Sequence, residues 1–294
     1  MPEDPLPPLR DVIERFGLAA RKALGQNFIL DFNLTRRIAK AAAPLTGHTI
    51  VEVGPGPGGL TRALLQEGAE HIVAIERDRR AIAALAEIAA AFPGKLTVIE
   101  GDALAIDWRR FVREPAKIVA NLPYNIATPL LTGWLTDNGG LPWFESLTLM
   151  FQKEVAERIV AKPGSKDYGR LSALCQHLCE VRKLFDVNRS AFIPAPKVTS
   201  SIVQLVPRPT PSPRCRIEVL QLVTAAGFGQ RRKMLRSSLR TISKDPEKLL
   251  AAAGIDPQLR AEQLSVSDFA RLAILVDAKQ GVTTDSSQEI ADGS

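Results

Sequence analysis

The rhythm of apolar and polar positions changes once, near residue 207. From about residue 45 to 206, short β-branched apolar runs alternate with stretches of helical periodicity. The runs are Thr49–Val53, His71–Ile75, Leu96–Ile99, Lys117–Ala120, Leu147–Phe151, Lys183–Val187 and Ser201–Val206. Such alternation predicts βαβ units, a mostly parallel sheet and helices on both of its faces. Ahead of the first run, Leu9–Phe16 and the stretch from Asn33 to Ala43 read as helices, on either side of "RKALGQNFILD" (21–31). After it comes "PRPTPSP" (207–213), a stiff, extended linker. Beyond that only helical patterns follow, around Glu218–Ala226, Arg231–Ile242, Pro246–Ala253 and Asp268–Ala278. Ser265 with Asp268 forms a capping box for the last. The expected fold class is therefore α/β, a doubly wound, mostly parallel sheet with a small C-terminal all-helical domain. The expected divisions are an N-terminal extension (1–20), an α/β domain (21–206), the linker (207–213), a basic helical domain (214–280) and a disordered tail (281–294).

Composition narrows the class. The 294 residues are 45% hydrophobic and 24% charged, ordinary for a folded globular chain. No apolar run approaches the roughly 18 residues of a membrane span. The proline-rich, acidic start does not read as a signal peptide. Cys175 and Cys179 lie one helical turn apart, Cys215 is isolated, and no CxxC occurs. A reduced, cytoplasmic chain without a metal site is expected. Charge is unevenly spread. Arg208 to Lys248 holds ten Lys or Arg against three acids, a net +7 where the whole chain carries +6. A basic face so concentrated implies a polyanionic partner.

"VEVGPGPGGLT" (51–61) joins the first strand to the next helix. Its glycines let backbone approach a ligand at a helix N-terminus. Gly54-x-Gly56-x-x-Gly59 also matches a dinucleotide fingerprint, and Glu76 at the end of the second strand could accept ribose hydroxyls in either case. The loop is thus open to a nicotinamide cofactor or to S-adenosylmethionine. Glu52 tilts the choice, since a carboxylate there would repel a pyrophosphate and tolerate a sulfonium. Asp102 in "EGDAL" (100–104) ends the third strand and could accept a bond from an adenine amine. Gly54, Glu76, Asp102 and Asn121 follow four successive strands and would line one rim, where such sheets bind ligands.

"NLPY" (121–124) lies on that rim. Alone it reads as a strand stop and helix cap. Behind a glycine loop and two rim acids it reads as a grip on an exocyclic amine. The Asn121 side-chain oxygen and the Leu122 carbonyl could accept the amine's two hydrogens. Pro123 would stiffen the turn and Tyr124 would offer a stacking face.

These motifs together resemble the bacterial small-subunit ribosomal RNA adenine N6-dimethyltransferases (dimethyladenosine transferases). The resemblance rests on "ALGQNFILD", "VEVGPGPGGLT", "AIERD", "EGDAL", "NLPYNIATPLL", "FQKEVAERI", "YGRLS" and "FIPAPKVTSSIV". It implies a Rossmann-like methyltransferase sheet with S-adenosylmethionine as cofactor. Asn27 and Ile29 would touch the cofactor from the N-terminal side, Gly54 its amino-acid part, Glu76 its ribose and Asp102 its adenine. Asn121 would touch both cofactor and target amine, with Tyr124 and Phe192 on either side of the base. The implied substrate is a pair of adjacent adenosines in a loop near the 3′ end of 16S rRNA, within an assembling 30S subunit. A monomer is expected. "GFGQRRKMLRSSL" (227–239) would be a phosphate-contacting helix, with Arg231, Arg232, Lys233 and Arg236 on the RNA. The rival readings are a large-subunit rRNA adenine methyltransferase, an assembly factor whose binding role dominates, and a nicotinamide oxidoreductase.

Overall fold

The computed structural model describes residues 6–19, 25–137 and 142–288. In chain order the elements are α1 (Leu9–Arg15), β1 (Phe28–Ile29), α2 (Phe32–Ala41), β2 (Thr49–Val53), α3 (Gly59–Gln66), β3 (His71–Glu76), α4 (Arg79–Ala91), β4 (Leu96–Glu100), β5 (Ala116–Ala120), α5 (Tyr124–Thr136), β6 (Ser146–Gln152), α6 (Lys153–Val160), α7 (Arg170–Leu178), β7 (Cys179–Val187), β8 (Phe192–Ile193), β9 (Ser200–Pro207), α8 (Ile217–Gly229), α9 (Leu235–Ser238), α10 (Pro246–Ala252) and α11 (Val266–Gln288).

Seven strands form one sheet in the order β4-β3-β2-β5-β6-β9-β7. β2 through β6 pair in parallel, and β9 runs antiparallel to β6. The chain leaves β2 in one direction for β3 and β4, then returns to lay β5 and β6 on the other side. The order reverses between β2 and β5, and that switch point opens a crevice at the strands' carboxyl ends. β2 and β5 are buried along their whole length, as strands covered on both faces must be. Every apolar run named above falls on a strand. β1 and β8 make a separate two-stranded ribbon, with Ile29 opposite Phe192.

Helix starts follow their chemistry. The Asp31 carboxylate accepts the Asn33 and Leu34 N–H groups to open α2, and Asp78 accepts from Arg80 N to open α4. The expected capping box is present: Asp268 accepts the Ser265 N–H, and Ser265 Oγ accepts the Asp268 N–H.

Among the described residues the chain falls into two compact units. One draws on Met1–Trp134, Pro142–Ala156 and Arg182–Pro207, the other on Leu135–Leu141, Glu157–Val181 and Arg208–Ser294. One unit ends at Pro207, the first residue of the proline-rich stretch. Glu157–Val181, expected within the α/β domain, groups instead with the C-terminal helices. The cause is packing: Ala161, Tyr168 and Ala173 share a core with Leu220, Leu239, Leu250 and Phe269. Val12 and Leu18 pack against Ala81 and Ala84 of α4. The basic segment 227–239 is not one helix. α8 ends at Gly229, and α9 starts only at Leu235, where Leu259 and Pro257 carbonyls take the Leu235 and Arg236 N–H groups. The last helix reaches Gln288, beyond the start of the expected disordered tail at 281. Extension from an anchored helix needs no new nucleus. Residues 289–294 of that tail lie outside the described residues. Among the described residues, no helix is long and apolar enough to cross a membrane.

Phe269 is fully buried and its ring centroid lies 5.3 Å from that of Phe228. Replacing it with Ala should cost about 3–5 kcal/mol of stability. Urea unfolding followed by circular dichroism checks this, and a loss below about 1 kcal/mol would be too small for a core anchor.

Candidate active site

The crevice at the switch point is an open cleft at the carboxyl ends of the strands. Its wall includes Asn27, Ile29, Gly54, Glu76, Asp102 and Asn121 to Tyr124. The structure thus brings together all the residues assigned to cofactor and amine except Phe192. Each arrives from a strand end: Gly54 after β2, Glu76 at the end of β3, Asp102 after β4, Asn121 after β5. β1 closes the wall from the N-terminal side.

The glycine loop needs its glycines. Gly56 has φ +55°, and a Cβ there would lie 2.8 Å from the Phe28 ring. Gly56 N–H donates to Glu76 Oε2 at 3.0 Å, which ties the loop to β3. Glu76 Oε1 accepts from Arg77 N at 2.8 Å and Asp78 N at 2.9 Å. Burial pushes the Glu76 carboxyl up, and these three N–H donors oppose the shift. Asp102 is more open, with Oδ1 accepting from Leu104 N at 3.0 Å and Arg77 Nη1 3.7 Å from Oδ2.

Asn121 is oriented by the opposite wall. Its Nδ2 donates to the Asn27 carbonyl at 3.2 Å. A carbonyl can only accept, so this contact fixes which end of the amide is nitrogen. Asn27 Nδ2 in turn donates to Gly25 O at 3.3 Å. Tyr124 opens α5 directly after Pro123, and its hydroxyl lies 2.6 Å from Ser200 Oγ.

Two expectations change. Phe192 is only 2% exposed and belongs to the hydrophobic core with Ile29 and Ile38. Its pairing with Ile29 turns it inward, so it anchors β1 and is not on the cleft wall. Glu52 is 2% exposed and accepts from Thr61 Oγ1 at 2.7 Å. Burial pushes its carboxyl up to about 8, Thr61 pulls it down, and nearby Glu76 pushes it up again. A carboxyl that is largely protonated at neutral pH does not repel a pyrophosphate. The preference for a sulfonium ligand therefore cannot rest on Glu52.

Comparison with known proteins decides the family. The model for the ribosomal RNA adenine dimethylase family matches residues 17–278. The chain belongs to the ribosomal RNA adenine dimethylase family. Proteins named ribosomal RNA small subunit methyltransferase A are similar to this chain. The one from Xanthobacter autotrophicus is 60% identical over 271 residues, covering 92% of this chain and 94% of its own. The one from Rhodospirillum rubrum is 58% identical over 281 residues, covering 96% of each. Among solved structures, a dimethyladenosine transferase from Plasmodium falciparum is similar with TM-score 0.72 at 26% identity, covering 86% of this chain and 98% of its own. The 23S rRNA methyltransferase ErmE gives TM-score 0.65 at 27% identity, covering 85% and 100%.

Gln26, Arg80 and Ser200 join the site although no single motif marks them in the sequence. Gln26 Nε2 and the Arg80 guanidinium both donate to Asp78, whose carboxyl Arg80 holds down at about 2. Arg80 Nη1 also donates to the Gly17 carbonyl. Only the "ERD" run hinted at this clamp. Of the expected RNA contacts, Arg231 is engaged within its own unit. Its Nε donates to Glu262 at 2.7 Å and its Nη2 to the Lys166 carbonyl at 2.6 Å.

The raised Glu52 pKa sets a pH dependence. Its unfolded value is near 4.5 and its folded value about 8. Between those values the folded state keeps a proton that the unfolded state has lost. Stability should therefore fall as pH rises across that window, by up to about 1.4 kcal/mol per pH unit. Glu52→Gln lacks this loss. The melting temperature of the native protein minus that of the variant should drop between pH 5 and 8.5. A pH-independent difference would mean that Glu52 ionises normally in the fold.

Proposed function

We propose that the protein uses S-adenosylmethionine to dimethylate the N6 amines of two adjacent adenosines. The target is a loop near the 3′ end of 16S rRNA, in an assembling 30S subunit. On this reading the protein works in the cytoplasm as a monomer. The observation that carries the proposal is the meeting of Asn121 and Tyr124 with Gly54, Glu76 and Asp102 on one cleft wall.

The residues fit such a cofactor. Gly54 and Gly56 present bare backbone, and Glu76 keeps both oxygens within the cleft wall with further acceptor capacity. Gly54 would meet the amino-acid part, Glu76 the ribose and Asp102 the adenine, with Asn27 and Ile29 covering from the N-terminal side. Bound there, S-adenosylmethionine supplies an electrophilic methyl group.

The adenine N6 lone pair is delocalised into the ring, so the amine is a weak nucleophile. Asn121 can accept one of its hydrogens through Oδ1, because Nδ2 is committed to Asn27. The Leu122 carbonyl would accept the other. Both bonds favour a more tetrahedral nitrogen whose lone pair is aimed. Pro123 keeps the acceptors in place and Tyr124 stacks on the base. A target adenine must leave its stack to enter such a cleft, which suits a loop. Because Phe192 is buried, stacking is asked of Tyr124 alone.

Labelled S-adenosylmethionine offered with undermethylated small and large subunits should mark small-subunit RNA. Label confined to large-subunit RNA would sink the assignment. Asn121→Ala should cut transfer by at least about a hundredfold, the scale of losing an aimed polar contact, while subunit binding survives. Equal loss of binding would argue against an aiming role.

In the helical unit, Arg232 and Lys233 are exposed. Replacing both with Ala should flatten the log–log salt dependence of RNA binding by about 1.4, at about 0.7 per phosphate on a single strand. Arg231→Ala should instead lower thermal stability, because it strips Glu262 of its partner. An unchanged salt slope in the double variant would mean that this face is merely solvated.

A further inference from the structure

We propose that Ser200 is a positioning residue that latches the stacking ring of Tyr124 in its working orientation. The inference rests on the methyl-transfer reading and deepens it.

Stacking alone does not call for tyrosine. A phenylalanine presents the same apolar face, so the hydroxyl needs its own reason. Its partner is Ser200 Oγ, 2.6 Å away and 76 residues distant in sequence. Ser200 is fully buried, at the first position of β9. Its backbone cannot drift. It sits opposite Gln152 in the β6–β9 ladder, and beside it Lys153 N donates to the Thr199 carbonyl at 2.9 Å. The sheet therefore holds Ser200 Oγ as a fixed point on the carboxyl rim.

Tyr124 is held at two ends. At its backbone, Pro123 sets the turn and α5 begins. At the far end of the ring, the hydroxyl meets Ser200. A side chain with two torsions, pinned at both ends, keeps one ring plane. Burial pushes the phenol of Tyr124 up, so it stays protonated and able to donate across the working pH range. The base then meets a plane already in place, and no binding energy is spent on ordering it.

The neighbouring serine separates this role from ordinary strand chemistry. Successive strand residues face opposite sides of a sheet. Ser201 Oγ donates to Asp186 Oδ1 at 2.7 Å, a carboxylate that also meets Lys153 and Lys183 at 3.2 Å each. Of two adjacent serines, one serves the ring and the other an ion-pair network.

The test is a double-mutant cycle on the full-length protein under single-turnover conditions, with undermethylated small subunits. Ser200→Ala and Tyr124→Phe should each slow transfer about ten-fold, the scale of one neutral hydrogen bond. The combined variant should be no slower than either alone, because both remove the same bond. Binding of S-adenosylmethionine should be unchanged in all three. Ser201→Ala should combine multiplicatively with Tyr124→Phe. Transfer by Ser200→Ala at the native rate would overturn the latch. So would multiplicative losses for Ser200→Ala with Tyr124→Phe, or a loss of cofactor binding that matches the loss of transfer. If the native protein itself moves no label to small-subunit RNA, the methyl-transfer reading fails first, which is distinct from failure of the latch.

Discussion

The Glu76 carboxylate organises the catalytic unit. A buried carboxylate must be met by donors, and Glu76 is met by three backbone N–H groups, from Gly56, Arg77 and Asp78. Each bond fixes a different part of the site. The Gly56 bond holds the glycine loop against β3. The Arg77 and Asp78 bonds bend the chain so that Asp78 can cap α4. Asp78 then binds Gln26 on the cleft wall and Arg80, which reaches back to the Gly17 carbonyl. One acid thus ties the loop, the next helix and the N-terminal segment into a single frame. Loss of its charge or its length would release all three at once.

How much of this was legible in the sequence follows from where each interaction is made. β-branched runs are local signals, and they place every strand of the large sheet. A residue at the carboxyl end of such a strand lies on the rim by topology, so Gly54, Glu76, Asp102 and Asn121 could be placed without any tertiary contact. Phe192 could not. Its burial depends on pairing with Ile29, more than 160 positions away, and nothing local marks a two-residue strand. The partners of Arg231 were hidden for the same reason, since Glu262 and the Lys166 carbonyl reach it from other segments. The run from 227 to 239 looks helical by composition. It breaks because the loop at 257–259 captures the N–H groups that open α9. The Ser200 latch lies in "VTSSIV", where neither serine stands out until the strand is built.

Glu52 shows how a ligand preference can be drawn from a residue that does not carry it. In the sequence it is a charge beside a phosphate-binding loop. In the fold it is a buried carboxyl, largely neutral at pH 7, that accepts from Thr61 and braces the start of α3. What separates this cleft from a dinucleotide site is not repulsion. It is the rest of the wall. Among the described residues, the basic side chain on it, Arg77, faces Asp102 at 3.7 Å. β5 runs into an amide and an aromatic ring, groups that suit a flat base bearing an amine better than a diphosphate.

On the methyl-transfer reading, the same wall favours orientation over acid–base power. Among the described histidines, His48 meets Glu145 at 2.8 Å at the amino end of β6, His71 opens β3 at the opposite end from Glu76, and His177 lies in the helical unit. Glu52, whose pKa lies near neutrality, is spent on Thr61 behind the loop. Proton removal is not the difficult step, because a methylated ammonium gives up its proton to water readily. The difficulty lies in the lone pair of an aromatic amine, which must be drawn out of the ring and pointed. A side chain that titrates would do little for that. On the methyl-transfer reading, fixed acceptors and a fixed plane do more, and the fold offers both: Asn121 is tied to Asn27, Pro123 stiffens the turn, and the Tyr124 hydroxyl meets a serine on the sheet.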